Sequence, residues 1–336
     1  MIALTHIRRR DARRRHIALS LLGALTLGAA LLTLSVGQTV TPLPRVIAAL
    51  TGTAPDFTVS VLRLPRAVLG ALAGMCFGMG GVAFQTLLRN PLASPDIIGI
   101  SAGASAAAVF CIVVLGLSGA AVSLVAVGAG LGVALLIYAL SWRDGVAGAR
   151  LILVGIAVAA MLQSLVAYLL TQAPSWSLQE ALRWMTGSLN GARLAQAAPL
   201  GTALALFGGA LLAIRRDLET LRMGEDMAAG LGVRTGRTRL VTVCAAVGLV
   251  AFATAAAGPI AFVAFLSGPI AARLLRRGGS LLIPAALTGA ALVLIADFAG
   301  QVLLPARYPV GIVTGVLGAP YLVLLIIRDN RTGGSL

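Results

Sequence analysis

Residues 8–36 read RRRDARRRHIALSLLGALTLGAALLTLSV: two arginine triplets, then an apolar run from Ile17 to Val36. A helix needs about 20 such residues to cross a hydrocarbon core roughly 30 Å thick. A secretory signal has a shorter apolar core, about 7–15 residues, followed by a small-residue cleavage site. This run is longer and shows no such site, so it reads as an uncleaved first helix. Its arginine tail places the N-terminus on the cytoplasmic side.

The pattern recurs along the whole chain. Of 336 residues, 59% are hydrophobic and only 11% charged, and the mean hydropathy is +0.97. A water-soluble domain cannot hide that much apolar surface, whereas lipid accommodates it in helices whose backbone bonds are satisfied internally. Apolar runs and breakers predict ten spans, near 17–36, 65–87, 95–116, 120–140, 151–171, 195–214, 238–257, 259–275, 281–303 and 309–327. The expected fold is an all-α polytopic membrane protein. It has a basic tail over 1–16, one transmembrane domain over 17–327, a short tail over 328–336, and both termini cytoplasmic.

The arginines test that topology. Alternating spans from a cytoplasmic start leave 20 arginines inside and six outside: Arg45, Arg63, Arg66, Arg183, Arg193 and Arg307. That asymmetry is the positive-inside signal. The net charge of +15 invites a nucleic-acid reading, but the arginines are dispersed between apolar runs and form no single basic face. All 26 basic residues are arginine. A P-loop needs a lysine to reach nucleotide phosphates, so any ATP-driven motor lies on another chain.

Other chemistries are poorly supplied. His6 and His16 both sit in the basic tail, which leaves no histidine for an intramembrane catalytic or metal site. Cys76, Cys111 and Cys244 are far apart in apolar runs and read as small buried hydrophobes. Asp297 is the strong candidate for an ionisable group within a span, a thin basis for a proton-coupled carrier. No stretch resembles a selectivity filter or a charged ring.

Local motifs carry the rest. Gly70, Gly74 and Gly78, like Gly128 and Gly132, are spaced four apart, which suits close helix packing in lipid. Arg63 and Arg66 flank Pro65 at the outer start of the second span; three apart, they fit one helix face, where guanidinium forks suit an acidic partner. Ser94 and Pro95 are the expected N-cap and first residue of the third span. Pro174 to Asn190, with Trp176 and Trp184, predicts a helix lying at the outer interface. Asp217 to Arg239 predicts a helical hairpin on the cytoplasmic face, punctuated by Gly224, Gly230 and Gly232.

Taken in order, these motifs resemble the FecCD family of ABC importer permeases, which move ferric siderophores, haem or cobalamin inward across bacterial cytoplasmic membranes. The resemblance spans nearly the whole chain. It rests on Arg63–Arg66, Arg89–Gly103, LILVGIAVA (Leu151–Ala159), ALRWMTGSLNG (Ala181–Gly191), MGEDMAAGLGV (Met223–Val233), GPIAFV (Gly258–Val263), Ala296-Asp297 and PVGIVTGVLGAP (Pro309–Pro320).

The resemblance implies roles. Arg63 and Arg66 match outer arginines that meet acidic residues of an extracytoplasmic binding protein. A third such arginine is replaced here by Gln301, and Arg307 is the candidate substitute. Met223, Gly224, Glu225, Asp226, Ala228, Gly230, Leu231 and Gly232 match coupling helices, near 217–235, that sit in the ATPase cleft. Asn90 and Leu92 match the cytoplasmic gate, whose other position falls at Gly148 and Ala149. The implied partners are an ATPase pair carrying ATP and Mg, the binding protein, and a second permease, identical or homologous. No cofactor or metal site is expected on this chain, because iron travels inside its chelator. The stretch Ser267-Gly268-Pro269-Ile270-Ala271-Ala272-Arg273 lacks the Pro-His pair of many members, which favours a siderophore over haem or cobalamin. An ion-coupled secondary transporter is the rival from another class.

Overall fold

The computed structural model describes residues 2–95, 99–141, 148–275 and 279–331, with 2–11, 148–149, 326 and 328–331 described by backbone alone. Among the described residues the chain is helical, with one isolated bridge between Val36 and Val40. Helix α1 (Ile2–Ser35) carries the arginine tail and the first span without a break. α2 (Leu43–Thr51) follows on the outer side, and a π turn over Thr58–Arg63 leads into α3 (Leu64–Leu87). Then come α4 (Ile100–Val113), α5 (Ala120–Leu140), α6 (Gly148–Thr171) and α7 (Ser175–Met185). The sixth span is assembled from a 3-10 turn (Leu194–Gln196), α8 (Ala197–Ala203), a π turn (Leu204–Gly208) and α9 (Gly209–Ala213). α10 (Arg215–Leu221) and α11 (Glu225–Gly230) form a hairpin before α12 (Thr235–Ala257) and α13 (Val263–Leu275). α14 (Leu282–Phe298) is extended by a π turn (Ala299–Leu303), and α15 (Val310–Arg331) closes the chain.

Among the described residues, seven segments are long and apolar enough to cross a membrane, and three more are shorter apolar helices. Together they account for the ten expected spans. The short ones are α4, α13 and the apolar part of α15. Fourteen residues of α4 rise only about 21 Å, less than the hydrocarbon thickness. The missing depth is made up by irregular backbone, which lipid excludes unless protein covers it. It is covered: Ala93, Ser94 and Pro95 before α4, and Gly258 and Ile260 before α13, are buried.

The third span therefore corrects the expected start. Its helix begins at Ile100 after Gly99, whose φ of +76° a glycine adopts without strain, and Ser94 is not its N-cap. The second span starts earlier than expected, at Thr58. Pro65 lacks an N–H and its ring crowds the carbonyl four residues back, and the wider turn before it accommodates both effects. The expected outer and cytoplasmic helices are present as α7 and the α10–α11 hairpin.

α3 is the hub. Within its most apolar window 78% of residues are buried, against 17% for α6. It packs on α12, α13 and α14, with α1 outside α14, while α4 to α7 form a second group joined to it through α12. The α3–α14 contact is backbone against backbone. A Cβ on Gly74 would overlap the Gly289 carbonyl, and one on Gly78 the Ala285 carbonyl. The second four-apart glycine pair behaves differently: nothing lies within 4 Å of a Cβ at Gly128 or Gly132. Cys76 and Cys111 are buried, but Cys244 is exposed on α12, correcting the expectation of three buried thiols.

Candidate functional site

Three sequence motifs meet at the outer end. Gly187 follows α7, Gly258 ends α12 and Gly311 opens α15. The Ser188 N–H donates to the Ala257 carbonyl at 2.7 Å, and the Gly311 N–H to the Gly187 carbonyl at 3.1 Å. Side chains at these glycines would collide with the backbone of Pro259, Trp184 and Thr186 respectively. The junction fixes the loop that carries Asn190.

Beside it lies a cavity of about 340 Å³ whose lining includes Arg63, Arg66, Asp297, Gln301 and Arg307. The structure thus brings the three expected docking arginines together, but gives them different tasks. Arg63 is 8% exposed. Its guanidinium donates to the carbonyls of Leu34 at 2.9 Å and Thr39 at 2.6 Å and, at 3.3 Å each, to the hydroxyls of Thr41 and Thr39. It caps the C-terminal end of α1, where free carbonyls and the helix dipole favour a cation. The π turn rotates Arg63 off the face of Arg66, so the expected outward-facing pair is corrected to one inward and one half-buried side chain.

Arg66 clasps three segments. It forms a fork on Asp297, with Nε to Oδ2 at 2.5 Å and Nη2 to Oδ1 at 2.6 Å, while Nη1 donates to Asn190 Oδ1 at 2.8 Å. Asp297 is 2% exposed, and this fork satisfies both of its oxygens inside the span. Its place in the ion pair gives Asp297 a structural role and leaves little for a proton relay. Gln301, at the position where a further arginine was expected, donates to the Tyr308 carbonyl at 3.4 Å. Arg307 is exposed at the mouth. With three guanidinium groups and one carboxylate, the cavity carries a net positive charge.

The cytoplasmic end of the same helices holds a second cavity of about 690 Å³, lined in part by Gln85, Arg89, Asn90, Arg222 and Pro269. Asn90 accepts the Leu92 N–H on its side-chain oxygen at 2.8 Å, a local turn that redirects the chain after α3. Leu92 is half-buried. Gly148 and Ala149 open α6 and are described by backbone alone, so the second half of the expected gate lies outside what the structure describes. Sequence reasoning missed Gln85. Pro269 cannot donate to the Phe265 carbonyl four residues back, and Gln85 Nε2 fills that vacancy from α3 at 2.9 Å. The signal was present as a proline inside an apolar run facing a lone amide in another.

The hairpin beside this cavity is anchored by buried Leu218, Leu221 and Ala228. Gly224 turns between its helices at φ +110°. Gly232 ends α11 at φ +85°, with the Val233 N–H on the Ala228 carbonyl and the Gly232 N–H on the Ala229 carbonyl. That is the six-to-one and five-to-two closure favoured by glycine. Glu225 pairs with Arg239, while Asp226 is exposed. Met223, Met227 and Leu231 are 65%, 55% and 61% exposed, and Gly230 lies exposed beside them. An apolar, methionine-bearing patch edged by a carboxylate is a surface suited to packing against another protein.

Residues 25–328 match the FecCD transport family. The chain is 39% identical over 291 residues to the ferric enterobactin transport system permease protein FepG of Escherichia coli K12, covering 85% of this chain and 88% of the relative. It is 37% identical over 322 residues to the achromobactin transport system permease protein CbrC of Dickeya dadantii, covering 94% and 92%. Among solved structures, a metal-chelate type ABC transporter in an inward-facing conformation has the same fold. The TM-score is 0.82 over 92% of this chain and 98% of that one, at 24% identity.

Proposed function

The chain belongs to the FecCD transport family, and from that premise we propose that it imports a ferric siderophore as one of two permeases in an ATP-driven complex. It is a multi-pass permease of the cytoplasmic membrane. The observation that carries the proposal is the reach of α3. One tightly packed helix holds Arg66 at the outer cavity and ends beside the inner cavity and the hairpin. Motion imposed on the hairpin has a stiff route to the outer mouth, because the α3–α14 backbones are in contact.

In this reading a loaded binding protein presents carboxylates to the positive outer cavity. Arg66 and Arg307 face it, and Arg63 holds the mouth in shape. Met223, Gly224, Glu225, Asp226, Ala228, Gly230, Leu231 and Gly232 meet the ATPase pair, which carries ATP and Mg. Asn90 and Leu92 form the described part of the inner gate, with Gly148 and Ala149 as the other. The lightly covered α6 faces the second permease across the cargo path. The relatives named for ferric enterobactin and achromobactin support a siderophore cargo. The test is radio-iron uptake by cells with and without this chain, over a chelator panel with haem and cobalamin as controls. Loss of one ferric chelate is expected; loss of haem or cobalamin uptake instead overturns the cargo assignment.

A further inference from the structure

A third cavity, of about 550 Å³, opens at the cytoplasmic ends of three spans, between Arg15 of α1, Leu212 of α9, Arg215 and Arg216 of α10, and Ile283 of α14. Those residues sit where the spans Ala12–Ser35, Leu194–Ala213 and Leu282–Leu303 begin or end, so the cavity lies at the depth of the inner-leaflet headgroups. One wall is apolar, with Ile283 45% exposed. The polar wall has three guanidinium groups against one carboxylate, Glu219, which pairs with Arg222 at 3.4 Å. Arg15 is held across the cavity floor by donating to the Ser280 carbonyl at 2.7 Å. Gly279, at φ +91°, leaves the space that its guanidinium occupies.

From this arrangement we infer that the cavity binds the headgroup phosphate of an anionic phospholipid from the inner leaflet. Basic pockets between transmembrane helices on the cytoplasmic side suit such headgroups, and guanidinium forks match phosphate oxygens. The apolar wall continuing into the bilayer argues for a lipid over a free phosphate, since it offers the acyl chains a surface at the same site. Because α10 opens the hairpin, the lipid would brace the coupling region against α1 and α14. The inference is independent of the cargo.

Native mass spectrometry of the purified full-length chain in detergent tests it, with dioleoyl phosphatidylglycerol and dioleoyl phosphatidylcholine offered in equal amounts. Selective retention of phosphatidylglycerol is expected. At about fivefold per guanidinium, Arg215→Gln with Arg216→Gln should weaken retention roughly 30-fold. Gly279→Ala, which keeps every charge but displaces Arg15, should weaken it about fivefold. Arg45→Gln with Arg193→Gln, on the outer side, should change nothing. If the double glutamine variant does not fold, Gly279→Ala and the charge-preserving Arg215→Lys with Arg216→Lys decide, the latter keeping selectivity. Equal retention of both lipids, retention unmoved by Gly279→Ala, or retention unmoved by the double glutamine variant where it folds, overturns the inference. Displacement of the lipid by millimolar inorganic phosphate would assign the site to a free anion and overturn it too.

Discussion

Removing both ends of the Arg66–Asp297 fork should cost far less than the two single removals added together. Arg66→Met leaves Asp297, 2% exposed, without its cation. Breaking a buried pair this way costs about 3–5 kcal/mol, and the lower end applies because Arg66 keeps 16% exposure to solvent. Asp297→Leu leaves a guanidinium that still reaches Asn190 and water, so about 2 kcal/mol is expected. The double variant removes both charges and should cost about 2 kcal/mol, giving a coupling of about 3 kcal/mol. At roughly 2 °C per kcal/mol the melting temperature falls by about 6, 4 and 4 °C for the two singles and the double. The assay is thermal unfolding in detergent with a thiol-reactive dye in a Cys244→Ser background, since Cys76 and Cys111 are buried and react only on opening. A double variant whose loss equals the sum of the singles, about 10 °C on the same scale, would refute the clasp.

Gln85→Leu orphans the Phe265 carbonyl beside Pro269; a loss of about 1–3 kcal/mol is expected in the same melt, and an unchanged melting temperature removes the bridge. Gly74→Ala drives a Cβ into the Gly289 carbonyl and should destabilise by about 1–3 kcal/mol. Gly128→Ala meets open space and should be neutral or slightly stabilising; equal effects at the two sites contradict the seam. Cysteine at Asp226 should crosslink to the ATPase in an assembled complex, and its failure to do so, with the complex intact by size, removes the hairpin from that contact. Arg66→Glu with Arg307→Glu should weaken binding-protein docking by at least tenfold while the permease still inserts; undiminished docking sinks the outer cavity's role.

The spans were legible because lipid enforces length and hydropathy, and the topology because arginine avoids the outer side. The start of α4 was not: Ser94-Pro95 has the composition of a helix start, yet the α-helix begins at Ile100 after Gly99. Spacing could not separate Gly74 from Gly128: both helices pack on neighbours, but only the Gly74 face meets another backbone, while a Cβ at Gly128 meets nothing within 4 Å. The π turn that swings Arg63 inward has no composition of its own; it follows from the Pro65 ring within a continuous helix. The outer site was legible as a set of residues, Arg63, Arg66, Arg307 and Asp297, but not as a network. Which arginine caps α1 and which clasps α14 depends on where the 34–41 turn comes to rest.

The most direct test of the central claim is uptake into proteoliposomes that hold this permease with its ATPase pair and, if required, its second permease, supplied with the loaded binding protein. Accumulation of an intact ferric siderophore that needs internal ATP and the binding protein is expected. It should be unaffected by collapsing the proton or sodium gradient. Uptake that persists without ATP hydrolysis and follows an imposed ion gradient would contradict it.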